Sequence, residues 1–185
     1  MHLRILTYLQ GLAFAAALAA TPTLYASTIV AQSVEAMATE ADAVVLAEVS
    51  AIDAQWHDGV IVTEVQLRVL EVWAGDVNTS TLTLRHLGGT LDGVRTHVAG
   101  VDNYRLGEQV GVFMERSGDN SWHSLALSWA VFHREGAMVQ RRTEGLTRIA
   151  PPGAREQAAT VVDEPNTFPL TELRARVRQA QESAQ

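Results

Sequence analysis

The stretch VIVTEVQLRVLEVW, residues 60–73, decides the fold class because its side chains alternate between an apolar and a polar face. Ile61 and Val65 lie on the apolar face, whereas Glu64 and Arg68 lie on the other. A period of two residues is typical of a half-buried antiparallel strand. The length of the stretch predicts a strand that bends around a small barrel.

Similar segments flank this strand on both sides. The predicted strands are residues 43–53, 60–73, 81–87, 108–116, 122–133 and 137–142. A helix of about two turns is predicted after Ser33, a suitable N-cap, because Val34 and Met37 share one helical face. Residues 170–181 carry an apolar stripe and predict a C-terminal helix, whereas residues 143–169 are expected to be mostly loop. An all-β sheet of this size buries its edges best by closing, so a barrel of five or six strands flanked by helices is expected.

The first residues predict the compartment. Residues 1–26 combine Arg4, an Ala/Leu-rich apolar stretch and small residues near Ala26, the pattern of a secretory signal peptide. A retained membrane anchor is the alternative. We therefore expect a periplasmic or secreted protein, without stable membrane insertion once the signal is removed. Residues 27–150 would form the barrel domain, and residues 151–185 a loop plus a helix docked on it.

The composition excludes several kinds of chemistry. The net charge of −7 argues against nucleic acid as a partner, since binding the phosphate backbone needs concentrated positive charge. The absence of cysteine excludes disulfides, thiolate nucleophiles and cysteine-ligated metals. All 14 basic residues are arginine, which also excludes Schiff-base and P-loop lysine chemistry. No cofactor is expected.

The stretch RHLGGTLDGVRTHVAG, residues 85–100, raises three interpretations: an anion cradle, a metal site or a connection between strands. A phosphate cradle needs a helix N-terminus behind it, and none is predicted here. A metal site needs three or four converging ligands, and no histidine pair has ligand spacing. The favoured interpretation is a long connection across the barrel, in which glycines adopt positive φ at the turns.

No catalytic group stands out. Ser124 follows His123, but neighbours on a strand point to opposite faces and cannot form a dyad. The acidic residues of the strands and turns are expected to face solvent; they are Glu48, Glu64, Glu108 and Glu115. A pair of carboxylates working as acid and base remains open, because spacing alone does not exclude it.

The aromatic residues supply the candidate binding residues. Trp129 is expected in the core. Trp56 and Trp122 have two interpretations, anchors for a partner or packing at the barrel rim, and the second is favoured. The candidate partner-binding residues are Trp56, Asp92, Arg95, His97 and Trp122.

Three quoted segments together resemble a known group. They are SVEAMATEADAVVLAEVSAIDAQWHDGVIVTEVQLRVLEVWAGD at residues 33–76, TLTLRHLGG at residues 81–89 and YRLGEQVGVFME at residues 104–115. Their order resembles a group of uncharacterised exported bacterial β-proteins, over roughly residues 33–148. More distantly it is similar to the netrin-type module of metalloproteinase inhibitors, where a strand ending in Lys-Gly corresponds to Ala74-Gly75 here.

The resemblance implies an OB-like antiparallel barrel with a short N-terminal and a C-terminal helix packed on it. Those inhibitors place an N-terminal cysteine on the zinc of their target, and this protein has no cysteine. The resemblance therefore implies the fold and no catalytic residue. Inhibition of that kind would lack the cysteine that binds the zinc of the target.

We expect a non-enzymatic binding module with an unknown protein or peptide partner. The alternatives are an inhibitor or accessory protein of an extracellular peptidase, and, third, an acid/base hydrolase. A binder should project the glycine-rich stretch beside Trp56 or Trp122. An inhibitor needs a protruding edge, and an enzyme needs two titratable groups facing each other in a pocket.

Overall fold

The computed structural model describes residues 26–149 and 164–184. The predicted signal segment lies outside the described residues, except for Ala26, and so does most of the loop expected after residue 150. The protein is mostly β, with one short helix and one C-terminal helix, as predicted. Neither of these helices is long and apolar enough to cross a membrane.

The described residues form twelve strands and two helices. The helices are α1, Val34–Glu40, and α2, Leu170–Ser183. The strands are β1 Ser27–Val30, β2 Ala43–His57, β3 Val60–Gly75, β4 Thr81–Leu87, β5 Gly89–Leu91, β6 Val94–Thr96, β7 Gln109–Arg116, β8 Trp122–Ser128, β9 Val131–Glu135, β10 Met138–Gln140, β11 Leu146–Ile149 and β12 Thr167–Pro169.

The main sheet contains eight strands in the order β12-β10-β9-β7-β2-β3-β4-β8. Strand β8 pairs with β4 in parallel and also with β7 in antiparallel orientation. Two small sheets accompany it: β1 pairs with β11 in parallel, and β5 pairs with β6 as an antiparallel hairpin. The β2–β3 pair is the longest, from Ala43 opposite Gly75 to His57 opposite Val60.

Two sequence predictions are wrong in detail. Residues 122–133, predicted as one strand, form β8 and β9 with a turn between them. Leu127 has a φ of 52°, unusual for a bulky side chain, and the Ala130 N–H donates to its carbonyl across the turn. The alternation of apolar residues continues through the turn and therefore hides it. Within the expected loop of residues 143–169, Leu146–Ile149 and Thr167–Pro169 form β11 and β12.

Apolar side chains form two clusters, one on each side of the sheet. The first contains Ala43, Val45, Ala47, Val49, Val65, Leu67, Leu82, Leu84, Val110, Val112, Met114, Trp122 and Val131. The second lies between the sheet and the helices, where Leu173 and Val177 of α2 meet Met37 of α1. Trp129 is fully buried in the second cluster, as predicted. Ser33 caps α1, since its Oγ accepts from the Ala36 N–H at 3.1 Å.

The second cluster also encloses an arginine. The Arg141 guanidinium lies 3.8 Å from the ring centroid of Trp129 and 4.3 Å from that of Phe132. Its charged partner is Glu164, at 3.4 Å. Burial lowers the pKa of Arg141 well below its ordinary value, to about 10, although the carboxylate of Glu164 opposes this shift. Arg141 thus remains charged at neutral pH among aromatic rings.

Candidate functional site: a cavity between two hairpins

The stretch at residues 85–100 is more than a connection, because it contains the β5–β6 hairpin. The backbone leaves β4 at Leu87, bends at Gly88 and Gly89, and reverses again at Asp92 and Gly93. The glycines of the stretch, including Gly100, have positive φ as expected, with values from 77° to 139°. The alternation of the strands did not predict the hairpin, since each of its strands has only three residues.

Gly89 brings the β5–β6 hairpin against the β2–β3 hairpin. A Cβ atom at Gly89 would lie 2.5 Å from Thr63 Oγ1 and 3.2 Å from the Ile61 side chain. The contact is reinforced by two hydrogen bonds: Thr63 Oγ1 donates to the Gly88 carbonyl at 2.7 Å, and the Gly88 N–H donates to the Ile61 carbonyl at 2.8 Å. The glycine pair therefore allows a close approach that any side chain at Gly89 would prevent.

A cavity of about 360 Å³ lies between the two hairpins and the segment that follows them. Its polar lining includes His86, Arg95, His97, Asp102 and Tyr104. Apolar groups of the β2–β3 hairpin form another wall, and they include Ile52 and Ala54. Residues distant in the sequence thus converge on one concave site.

Asp102 supports the wall of this cavity. It is 7% exposed; its Oδ2 lies 2.8 Å from His133 Nε2, and its Oδ1 accepts from the Asn103 N–H at 2.7 Å. His133 is 2% exposed, and its Nδ1 lies 3.2 Å from the Glu108 carboxylate but without hydrogen-bond geometry. Both oxygens of Asp102 are therefore already engaged within the protein.

Glu108 extends the same buried cluster. Its carboxylate accepts from the Arg105 N–H at 2.7 Å and from Arg142 at 3.1 Å. The Glu108 side chain is only 14% exposed, so the expectation that it faces solvent is wrong. The cause is the loop between β6 and β7, which folds back over His133. The cluster fixes this loop, and with it one wall of the cavity.

Four other polar groups of the cavity are not engaged in this way. In the described part of the protein, the side chains of Arg95 and His97 form no ion pair or hydrogen bond, and neither do the Tyr104 hydroxyl and His86 Nε2. Burial, reinforced by the charges of Asp102 and Glu108, raises the pKa of Tyr104 well above its usual value. The phenol therefore keeps its proton and remains a donor.

His86 supplies an acceptor. Burial lowers the pKa of His86 below its usual value, although the contact with the Leu87 carbonyl opposes the shift. The ring is therefore neutral at pH 7. Its Nδ1 lies 3.1 Å from that carbonyl, and a carbonyl only accepts, so Nδ1 carries the proton and Nε2 has the free lone pair. The ring stacks on Tyr104, with centroids 6.0 Å apart.

Four of the five predicted binding residues lie on the two hairpins or next to them. Trp56 is 49% exposed near the tip of the β2–β3 hairpin, on the same face of β2 as Ala54. Asp92 is exposed in the turn of the β5–β6 hairpin. Arg95 and His97 line the cavity. We call Trp56, Asp92, Arg95 and His97 the paired-hairpin surface.

Trp122 does not belong to this surface, and it is not exposed as an anchor for a partner would be. It is 8% exposed, because one side packs in the first apolar cluster and the Arg116 guanidinium covers the ring at 4.4 Å. It lines a different cavity of about 520 Å³, together with Arg85 and Asp119. Arg85 is paired there with Asp119 at 3.0 Å and with Glu64 at 2.8 Å.

A serine and a histidine meet at residues the sequence analysis did not consider together. Ser121 Oγ lies 2.7 Å from His123 Nε2 and 2.6 Å from the Asp119 carboxylate. Hydrogen bonding to Ser121 lowers the pKa of Asp119, which is therefore ionised and only accepts. The single hydroxyl proton goes to Asp119, so His123 donates to the serine oxygen. This direction is opposite to the one that activates a nucleophile.

In the ranges that the structure describes, no group of three or more His, Asp or Glu side chains could hold a metal ion. The Asp102–His133 pair joins residues 31 positions apart, and no spacing rule could have found it. Comparison with family models, curated proteins and solved structures found no match to this protein.

Proposed function

We propose that the protein is an exported, non-enzymatic binding module built on a closed OB-type barrel. The strand pairings support the barrel: β2, β3 and β4 form a meander, β7 pairs with β2, and β8 pairs with both β7 and β4. A five-stranded Greek-key barrel of the OB type closes in this way. The first apolar cluster would then be its interior. The compartment rests on the signal-like pattern of residues 1–26.

The observation that carries the binding role is the contrast between engaged and unengaged polar groups. Asp102, His133 and Glu108 bond to one another or to nearby backbone. Arg95 and Tyr104 line the same cavity with their donors unused among the described residues. A concave site with rigid walls and free polar groups is the usual form of a binding pocket.

Trp56 adds an anchor beside the cavity. A half-exposed tryptophan on a rigid hairpin supplies a large contact area at low entropic cost, and such residues often dominate binding energy. The paired-hairpin surface therefore suits a protein or peptide partner, and the acidic net charge does not favour nucleic acid.

The alternative role, an inhibitor or accessory of an extracellular peptidase, is favoured by one feature. Strand β2 pairs with β7 only as far as Glu48, and β3 pairs with β4 only from Val62. The tip of the β2–β3 hairpin, with Trp56 and the turn at Asp58, therefore extends past both neighbouring strands. The hydrolase hypothesis has less support, since both oxygens of Asp102 are engaged.

A pull-down from the organism's own periplasm and culture medium tests the proposal, with residues 27–185 as bait. The variants are Trp56→Ala and, as a matched control, Met138→Ala, which removes an exposed apolar side chain from β10. We expect a partner captured by the wild type and the control and lost by Trp56→Ala. Equal capture by all three, or capture by none, would contradict the proposal. A captured peptidase that loses activity on stoichiometric addition would favour the alternative.

A further inference from the structure

Arg95 gives the cavity a donor group suited to an anion. Arg95 is always protonated and forms no ion pair with the described residues. The carboxylate of Asp102 also lines the cavity, but it is bonded to His133 and to the Asn103 N–H. Arg95 is thus the cation that lines the cavity without an ion pair among the described residues, and its planar guanidinium matches a carboxylate in geometry.

The neutral groups of the cavity complete the pattern for a peptide-like carboxylate. Tyr104 offers an O–H donor that burial, together with the neighbouring carboxylates, keeps protonated. His86 Nε2 offers an acceptor, which suits the amide N–H next to a peptide carboxyl group. A site with two kinds of donor and one acceptor therefore recognises both the carboxylate and the amide beside it.

The dimensions restrict the ligand further. A cavity of about 360 Å³ is at the lower end of the range for small-molecule sites and accommodates one or two amino-acid residues. Because the cavity opens beside the paired-hairpin surface, a peptide segment bound there remains connected to a partner that contacts Trp56. The wall made by Ile52 and Ala54 suits a small apolar side chain next to the carboxylate.

We propose that this cavity binds a carboxylate group of a peptide segment, through Arg95 and Tyr104 as donors and His86 as acceptor for the adjoining amide. The inference rests on the proposed binding function and names the chemistry of its ligand. The carboxylate comes either from the C-terminus of a polypeptide or from an Asp or Glu side group, and the two sources are separated by experiment.

The test titrates the protein with four small probes and follows backbone amide NMR shifts of residues 86–104. N-acetyl-alanyl-alanine carries a terminal carboxylate, and its C-terminal amide is the matched neutral probe. N-acetyl-aspartate methylamide carries a side-chain carboxylate, and the asparagine analogue is its neutral match. We expect saturable shifts with one acidic probe or both, and at least about tenfold weaker binding of each neutral analogue.

Two variants connect the binding to the named side chains. Arg95→Gln should weaken the acidic probe at least about tenfold, and Tyr104→Phe, which removes only the hydroxyl, should weaken it severalfold. Arg105→Gln is the matched control, since it removes an exposed arginine charge from the adjacent loop without lining the cavity. Its affinity should equal that of the wild type.

Equal shifts from acidic and neutral probes, or equal weakening by Arg95→Gln and Arg105→Gln, would overturn the proposal. So would the absence of saturable shifts with all four probes. These outcomes are distinct from failure of the binding function itself. If a partner is still captured through Trp56 while no carboxylate binds, only the ligand chemistry is wrong; if carboxylates bind while no partner is captured, the paired-hairpin surface is wrong as a docking site.

Discussion

Replacing Arg141 tests whether its charge or its bulk stabilises the second apolar cluster. The guanidinium lies between the rings of Trp129 and Phe132, and its bonds to Glu164 are long, at 3.4 and 3.5 Å. Glu164 also bonds to Arg176, so it keeps a partner when Arg141 is replaced. We expect Arg141→Met to preserve stability and Arg141→Ala to lose it.

The magnitude follows from the burial of the charge. The lowering of the Arg141 pKa to about 10 corresponds to about 3 kcal/mol against the charged form. Contacts of the buried guanidinium with two rings stabilise the protein by about 2 kcal/mol or more. The cost of desolvating the charge offsets this stabilisation. Methionine has similar length, carries no charge and makes favourable sulfur–aromatic contacts, so its net effect should lie within about 1 kcal/mol of zero or be stabilising.

Alanine removes the bulk as well. Truncation of a fully buried long side chain leaves a cavity among Trp129, Phe132 and Phe168, for which a loss of about 2–5 kcal/mol is expected. Urea unfolding followed by tryptophan fluorescence measures both variants, since Trp129 lies directly against the substituted side chain. Equal destabilisation by methionine and alanine would refute the reasoning, because it would mean that the positive charge itself stabilises the ring cluster.

Two further substitutions test the glycine contact and the link between the helices. Gly89→Ala should destabilise the protein by about 2–4 kcal/mol and shift amide resonances around the cavity, since the new Cβ would overlap the Thr63 hydroxyl. Gly118→Ala is the control, because the space around Gly118 is open. It should change the free energy of unfolding by no more than about 0.5 kcal/mol in the same urea experiment. Hydrogen bonds from Arg176 hold the pKa of Glu35 below its ordinary value of 4.5. This half-exposed pair should contribute about 0.5–1 kcal/mol above that pH, and the contribution should disappear as the pH falls through the lowered value. A difference in thermal midpoint between wild type and Glu35→Gln that persists at pH 2 would contradict this assignment.

The sequence predicted the regular elements well where the pattern was long. Residues 60–73 fall within β3, and the helix after Ser33 and the C-terminal helix lie where their apolar stripes placed them. These elements could be predicted because side-chain periodicity records which face is buried. Strands of three or four residues carry too little pattern, so the β5–β6 hairpin, β11 and β12 were missed.

Only part of the cavity lining could be predicted from the sequence. Arg95 and His97 are candidates on sequence grounds because they lie in a glycine-rich stretch. No sequence motif singles out His86 or Tyr104. Their chemistry depends on neighbours distant in sequence, such as Asp102 bonded to His133. Burial and charge pairing decide which polar group is engaged, and neither is visible in the spacing of residues.

The two glycines at residues 88 and 89 connect the main sheet to the candidate site. Without a side chain at Gly89, the β5–β6 hairpin can lie on Thr63 and Ile61, and Arg95 is carried with it to the cavity. A larger residue would separate the hairpins and remove the wall opposite Ile52. Arg95, which is exposed on β6, would then no longer share one concave site with Tyr104 and His86. Because Gly89→Ala is expected to act in this way, it should abolish carboxylate binding even under conditions where the main sheet remains folded.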